Sequence, residues 1–389
     1  MIRQNKRKFP IRPTLQVEIG NFMQRIGHDR TVKNKWLWMG MQKIGLDIIN
    51  IAADDVAELL SLGVVLKENG YFVSANLISE KSGNPLVSPY IIKEISLPKE
   101  GRYFRIGFIG FSSPDGFLEE KSADYFWEDP LISAKKWLPE LNRKSDFVIV
   151  LACMPSEDAI QLAIDNSNVD IFLNGFKYQS SMPKIKINHS TIIYAEDEAK
   201  SLGELSFSLN ESSQVKVQLL NYRLTKKVKD DPEMEAFMLK AKAEISAQQN
   251  RLALVNAAVN KVVDNNKGSN FVTSKICGNC HTKEFSVWRS SAHAHAIEVL
   301  KKESKEFDTQ CVVCHVTGSG QSGGFQNLYQ SPRLVNVQCE ACHGTGREHS
   351  QNPTAMKMES LSKNSCLVCH NKSNSPEFEF SSYWAMIKH

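Results

Sequence analysis

The motif Cys-x-x-Cys-His occurs four times in the last third of the chain, as Cys277-Gly-Asn-Cys280-His281, Cys311-Val-Val-Cys314-His315, Cys339-Glu-Ala-Cys342-His343 and Cys366-Leu-Val-Cys369-His370. Two thiols three residues apart can each form a thioether to one of a haem's vinyl groups, and the next residue offers an imidazole to the iron. A lone copy could serve zinc or arise by chance. Four complete copies, with first cysteines 34, 28 and 27 residues apart, point instead to four covalently attached c-type haems. No other feature constrains the fold as strongly. From about residue 271 to 389 the chain carries little regular hydrophobic periodicity, as expected where porphyrin supplies the apolar mass and the polypeptide needs only short helices and long loops.

Each motif supplies one proximal imidazole, from His281, His315, His343 or His370. What fills the sixth position of each iron separates electron transfer from catalysis, because a second protein ligand closes the iron to small molecules. Of the remaining histidines, His293, His295, His349 and His389 lie in the same region, while His28 and His189 lie far upstream. Four local histidines for four irons is the number that full bis-histidine ligation requires. His349 closely follows the third motif, and His389 follows the apolar stretch Tyr383-Trp384-Ala-Met386. His293 and His295 share a segment that reads as a helix, where residues two apart point in different directions. They therefore serve two haems, or one of them is a surface histidine. Met356, Met358 and Met386 are further ligand types, but their spacing singles out none. The ninth cysteine, Cys153, sits in an apolar run and reads as a buried, inert thiol. The glycines of Gly318-Ser-Gly-Gln-Ser-Gly-Gly324 lack the Lys-Ser/Thr ending of a phosphate cradle and read as a loop at a haem edge.

With 389 residues the chain suits two or three domains. Its 42% hydrophobic and 23% charged residues are those of an ordinary globular protein. No apolar run approaches the eighteen or so residues of a membrane span. A net charge of +4 predicts no nucleic-acid partner. Covalent haem attachment takes place outside the bacterial cytoplasm, so a periplasmic or extracellular location is expected. The basic start Met1 to Pro10 lacks the apolar stretch of a secretory signal, so the expectation is that the signal was removed or that the true start lies upstream.

Upstream of the haem motifs the pattern changes. Leu15 to Ile19, Asp47 to Ile51, Phe104 to Gly110, Phe147 to Leu151, Ile171 to Leu173 and Thr191 to Tyr194 read as strands. Val32 to Ile44, Asp54 to Leu62, Leu131 to Leu141 and Ser156 to Ile164 carry apolar residues at helical spacing. This order predicts an α/β domain with a buried sheet. Gly203 to Leu209 and Gln214 to Leu220 alternate cleanly and predict an antiparallel hairpin turning at Asn210 to Ser213. Asp230-Asp-Pro232 then opens a helical pattern that stops at Asn265 to Ser269. The expected division is an α/β domain over 1–225, a helical linker over 226–267 and a mostly α, loop-rich tetrahaem domain over 268–389.

Two resemblances follow from these residues. Cys277 to Trp288, Ser291-Ala-His-Ala-His-Ala296, Cys314 to Gly320, Val337 to Gly344 with His349, and Ser375 to Trp384 with His389 resemble the tetrahaem cytochrome c554 family. That resemblance implies a periplasmic electron carrier with closely packed haems, distal ligands at His293, His349 and His389, and one iron that stays five-coordinate unless His295 fills it. Met41 to Asp47, Phe72 to Leu77, Gly83 to Lys93, Ile106 to Asp115 and Asp170 to Gly175 resemble the 5'-nucleotidase-like metallophosphoesterases. That family clamps a phosphoester between two metals held by Asp-x-His, Gly-Asp, Gly-Asn-His-Asp/Glu, a lone His and Gly-His-x-His. Here the first motif is missing and Gly20-Asn21 stands at the second. Ala52-Ala53-Asp54-Asp55 stands at the third, Ala152-Cys153 at the fourth and Gly175-Phe176-Lys177-Tyr178 at the last.

The expected fold is thus a metallophosphoesterase-like α/β sandwich joined to a tetrahaem cytochrome c domain. The expected function is an electron carrier between redox protein partners, with no catalytic residues, no enzyme activity, and an N-terminal pseudoenzyme domain serving as scaffold or docking module. The alternatives are a haem enzyme acting on a small nitrogen or oxygen species at an open iron, and a structural subunit of a homo-oligomer or larger cytochrome complex.

Overall fold

The structure, a computed structural model, describes residues 13–97, 101–113, 122–176, 184–195, 201–209, 215–225, 227–259, 269–371 and 374–389. The basic start, Pro114-Asp115, Lys177-Tyr178, the hairpin turn at Asn210 to Ser213 and the helix stop at 265–268 lie outside them. The chain forms two compact units, Met1–Phe237 and Met238–His389.

The first unit is built on a six-stranded sheet in the order β10-β11-β9-β8-β6-β5. These strands are β5 (Tyr90–Leu97), β6 (Arg102–Ser112), β8 (Phe147–Cys153), β9 (Ile171–Asn174), β10 (Ile185–Ile187) and β11 (Ser190–Tyr194). The central four run parallel, and the edge strands β5 and β10 run antiparallel to their neighbours. Strand β8 shows why its sequence is a continuous apolar run: all seven residues are buried, because parallel strands are covered on both faces. Val148, Val150 and Ala152 pack with Leu138 and Leu141 of the helix Pro130–Lys144 and Leu162 of the helix Ser156–Asp165. Phe147, Ile149 and Leu151 face the other way and pack with Ile48 and Val73 of a second sheet.

That second sheet is short and parallel, in the order β1 (Val17–Glu18), β2 (Ile48–Asn50), β3 (Phe72–Val73). Its outer face carries Ile49 and Phe72 against Trp38 and Met41 of the helix Arg30–Ile44 and Val56 and Leu59 of the helix Ala53–Ser61. Helices, sheet, sheet and helices therefore stack as a sandwich with three apolar layers. The pair β4 (Leu77–Ser79) and β7 (Tyr125–Trp127) and the hairpin β12 (Ser201–Leu209) and β13 (Val215–Arg223) complete the strands, all antiparallel. Of these thirteen strands, β3, β4, β5, β7 and β10 are absent from the sequence-based expectation. Four of them are only two or three residues long, too short for alternation to register.

The helix Pro232–Val259 begins in the first unit, where Phe237 meets Trp36 edge-on at 5.1 Å and Glu233 pairs with Lys43. Its later residues belong to the second unit, where Lys242 pairs with Glu303 at 2.9 Å and Asn250 accepts a hydrogen bond from Tyr329 at 2.5 Å. The rest of that unit consists of short helices, including Thr282–Arg289, Ala296–Lys302, Arg347–Gln351 and Phe380–Ile387. Its buried apolar cluster is small and gathers around Phe271, Ile297, Leu300 and Leu334. Among the described residues, no helix is long and apolar enough to cross a membrane.

Candidate haem-binding site

Three of the motifs close a short helical turn in which the histidine N–H bonds back to the first cysteine, while the His315 amide donates to Val312 at 2.9 Å. The His281, His343 and His370 amides donate to the carbonyls of Cys277, Cys339 and Cys366, each at 2.9 Å. This turn puts both thiols and the imidazole on one side of the backbone, as double thioether attachment requires.

Three motif histidines each face one of the spare histidines across nearly the same gap. The ring centroids lie 6.0 Å apart for His281 and His349, 6.1 Å for His370 and His293, and 5.9 Å for His343 and His389. Two metal–nitrogen bonds of about 2 Å each, with the nitrogens roughly 1 Å from their ring centres, separate two axial imidazoles by about 6 Å. The residues therefore fit a bis-histidine iron at three motifs. At the second motif, among the described residues, no histidine ring faces His315. His295 is exposed. The segment expected as one helix is instead a 3-10 turn, Ala292–His295, followed by the helix Ala296–Lys302, which turns His293 inward and His295 out. His28 and His189 belong to the first unit, where His189 Nε2 bonds Asp170 at 2.9 Å.

The tautomers are set by the other ring nitrogen. His315 Nδ1 donates to the Ala296 carbonyl at 2.7 Å, His349 Nδ1 to Met356 at 2.6 Å, His343 Nδ1 to Glu359 at 3.2 Å and His389 Nδ1 to Ile387 at 2.9 Å. His370 Nδ1 lies 3.0 Å from the Ser375 hydroxyl. A proton held on Nδ1 leaves Nε2 as a lone-pair donor, the form that ligates metal. Burial, with the neighbouring His370, holds His293 below the usual histidine range, and burial does the same for His370, which favours the neutral ligand form.

The thiols link the motifs in turn. The thiols of Cys277 and Cys339, of Cys369 and Cys314, and of Cys342 and Cys366 lie near enough to shift one another's proton affinity. First neighbours third, third neighbours fourth, and fourth neighbours second. Polar side chains hold this arrangement in place of an apolar core. Gln338 accepts the Ser274 amide at 2.7 Å, donates to the carbonyls of Arg333 and Val335, and its own amide donates to Thr317 Oγ1 at 3.0 Å. Glu340, inside the third motif and only 3% exposed, accepts the amides of Val272, Thr273 and Gly346. Sequence reasoning missed this hub, since an acid between two haem cysteines carries no periodicity or spacing signal of its own.

In the first unit, the strand ends bring together the residues standing at the phosphoesterase motifs. Asp55 accepts the amides of Asn21 at 2.8 Å, Met23 at 3.0 Å and Ala52 at 3.0 Å, while Asp54 pairs with Arg25 at 3.3 Å. Asn76 bonds the Ser112 backbone from both ends of its amide, and Cys153 is buried with its thiol toward the Gly175 carbonyl. Among the described residues, no three His, Cys, Asp or Glu side chains gather as a metal site. These donors do not fit the paired cations that the fold implies.

Comparison with known proteins divides along the same line. Residues 276–344 match the family model described as cytochrome c554 and c-prime. The chain is 40% identical over 92 residues to cytochrome c-554 of Nitrosomonas europaea, a match covering 20% of this chain and 39% of the cytochrome. Its N-terminal region is 38% identical over 88 residues to the 2',3'-cyclic-nucleotide 2'-phosphodiesterase/3'-nucleotidase of Salmonella typhimurium, covering 21% of this chain and 14% of that enzyme. The fold of the first unit is similar to that of sulfate thiohydrolase SoxB from Thermus thermophilus, with a TM-score of 0.52 at 16% identity over 62% of this chain and 45% of that one. The chain thus spans well under half the length of these curated relatives. Its N-terminal unit has a phosphoesterase-like α/β fold, and its C-terminal region is mostly helical and matches the cytochrome c554 family model, whose members carry covalently bound c-type haem. One expectation is overturned. The chain was expected to be no enzyme, with an inactive N-terminal unit, but that unit is about as similar to a phosphodiesterase as the haem region is to a cytochrome, and nothing in the comparisons supports inactivity.

Proposed function

We propose that the protein is a tetrahaem electron carrier of the periplasm or the extracellular space. Its haems would be attached through Cys277 and Cys280, Cys311 and Cys314, Cys339 and Cys342, and Cys366 and Cys369. The observation that carries this reading is the set of three imidazole pairs at centroid separations of 5.9 to 6.1 Å. Haem iron supplies reversible one-electron chemistry when bound. The chain's own residues would do the rest: His349, His293 and His389 would close three of the four irons, the Nδ1 bonds would hold the ligating nitrogens in place, and the nearness of the motifs in the order first, third, fourth, second would keep the attachment points in an unbroken series. In this reading residues 1–225 form one domain, 226–267 a linker and 268–389 the haem domain, with redox proteins as partners. The test is a mass measurement with a reductive titration of the purified chain. Four haems per chain, reduced and reoxidised without loss, are expected; fewer than four, or irreversible reduction, would sink the carrier.

A second reading rests on His315, which no histidine faces, and on the exposed His295. It makes the second motif a place where a small nitrogen or oxygen species meets iron. His295→Ala separates the two. If His295 ligates, the substitution converts one haem from low to high spin by electron paramagnetic resonance; an unchanged spectrum with a high-spin signal already present in the wild type, responsive to nitric oxide, favours the open iron. For the N-terminal unit, turnover of 2',3'-cyclic nucleotides or 3'-nucleotides with and without added divalent cations is the direct assay of its relationship to the phosphodiesterase.

A further inference from the structure

We infer that Glu340 is the positioning residue of the first and third haem motifs, and that its buried charge holds the haems attached there toward the oxidised state. This inference rests on the tetrahaem reading above. The observations begin with hydrogen bonding. The Glu340 carboxylate accepts the Val272 amide through both oxygens at 2.9 and 3.0 Å, the Thr273 amide at 2.8 Å and the Gly346 amide at 2.8 Å. Donors alone converge on it, an arrangement that stabilises a carboxylate's negative charge. A charge buried to this degree costs stability unless it is bonded in this way.

The three amides belong to the segments that place one haem's ligands. Thr273 precedes the first motif, and its carbonyl receives the Ile276 amide at 3.1 Å and the Cys277 thiol at 3.5 Å. Gly346 caps the helix Arg347–Gln351, which carries His349 opposite His281. Glu340 itself lies between Cys339 and Cys342 of the third motif. One side chain thereby ties the proximal segment of the first motif, its distal histidine and the third motif together.

Thr273 supplies independent support. Its φ of 79° and ψ of 155° fall in a region that is nearly glycine's alone, and a β-branched residue stays there only when its surroundings force it. The bond from its amide to Glu340 is such a constraint. Glu340 directly follows Cys339, and Thr273, whose amide it holds at 2.8 Å, meets Cys277 Sγ at 3.5 Å through its carbonyl, so the carboxylate lies beside the attachment points of both motifs. A fixed negative charge beside a haem favours the ferric over the ferrous iron, so it lowers the reduction potential.

The experiment compares Glu340→Gln and Glu340→Asp in the full, haem-loaded chain, reading haem content by mass and the four potentials by spectropotentiometry. With four haems retained, Glu340→Gln should raise one or two of the four potentials by about 59 mV, a tenfold change in a one-electron equilibrium, while Glu340→Asp keeps them near wild type. Four unshifted potentials in a fully loaded Glu340→Gln protein would overturn the inference. Should Glu340→Gln lose haem, the Glu340→Gln/Thr273→Gly double variant regains it, because glycine accepts the positive φ unaided; a double variant as poor as the single one also overturns it. Failure of the wild type to carry four haems would count against the carrier reading, and is distinct from either outcome.

Discussion

The two units reach order by opposite routes. The first has two packed sheets whose fully buried Phe72, Phe111, Phe172 and Leu151 fill the spaces between layers. The second has one modest apolar cluster around Phe271 and Leu334, short helices, and a buried polar hub of Thr317, Gln338 and Glu340. The difference teaches that apolar burial at roughly 25 cal/mol per Å² can hold the first unit on its own side chains, whereas the second would draw on the proposed haems.

The most severe way to break this contrast is to produce the chain without haem attachment. The second unit is expected to lose its protected amides in hydrogen exchange almost completely, while those of β6, β8 and β9 persist; equal loss in both units would remove the distinction. Next in size is Phe172→Ala, which empties a site in the sheet core and should cost about 3–5 kcal/mol in urea unfolding of the first unit, with haem content unchanged. Smaller in scope is His349→Ala. It should turn one haem of the four from low to high spin and leave the unfolding of the first unit as it was.

The mildest test uses pH. Burial pushes the Asp55 carboxyl up from 3.8 to about 7, over the opposing pull of its backbone amide bonds, and the charge of Glu18 adds to the push. Between about pH 4 and about 7 the folded unit therefore keeps a proton that the unfolded chain has released. This contribution to stability is full below the unfolded value and is lost as pH rises through the folded one. Urea midpoints of the first unit should fall across that window, and Asp55→Asn should flatten the slope.

How much of this was legible in the sequence follows the same division. The apolar run Phe147 to Leu151 announced a buried parallel strand because both faces of β8 demand apolar side chains. Strands such as Phe72–Val73 escaped, since two residues show no period. In the second unit the motif spacing drew attention to the paired cysteines and the histidine after each pair, but not to which imidazole faces which. That pairing depends on contacts between distant segments, as between His293 and His370. The difference between His293 and His295 arises from a 3-10 turn where helical spacing was expected. The phosphoesterase motifs illustrate the opposite error: missing ligand residues were read as missing activity, an inference that the phosphodiesterase match does not allow.

The Nδ1 partners of the histidines carry a consequence for evolution. His315, His343, His349 and His389 each lean on a main-chain carbonyl, an acceptor that no single codon change can delete. His370 alone among these leans on a side chain, the hydroxyl of Ser375. Since the basicity of a ligating imidazole follows its second hydrogen bond, four of these histidines would, as the proposed ligands, be insulated from mutational drift. In the proposed tetrahaem protein the fourth motif would be the place where selection can retune an iron through one exchange, such as Ser375→Ala, without disturbing the fold.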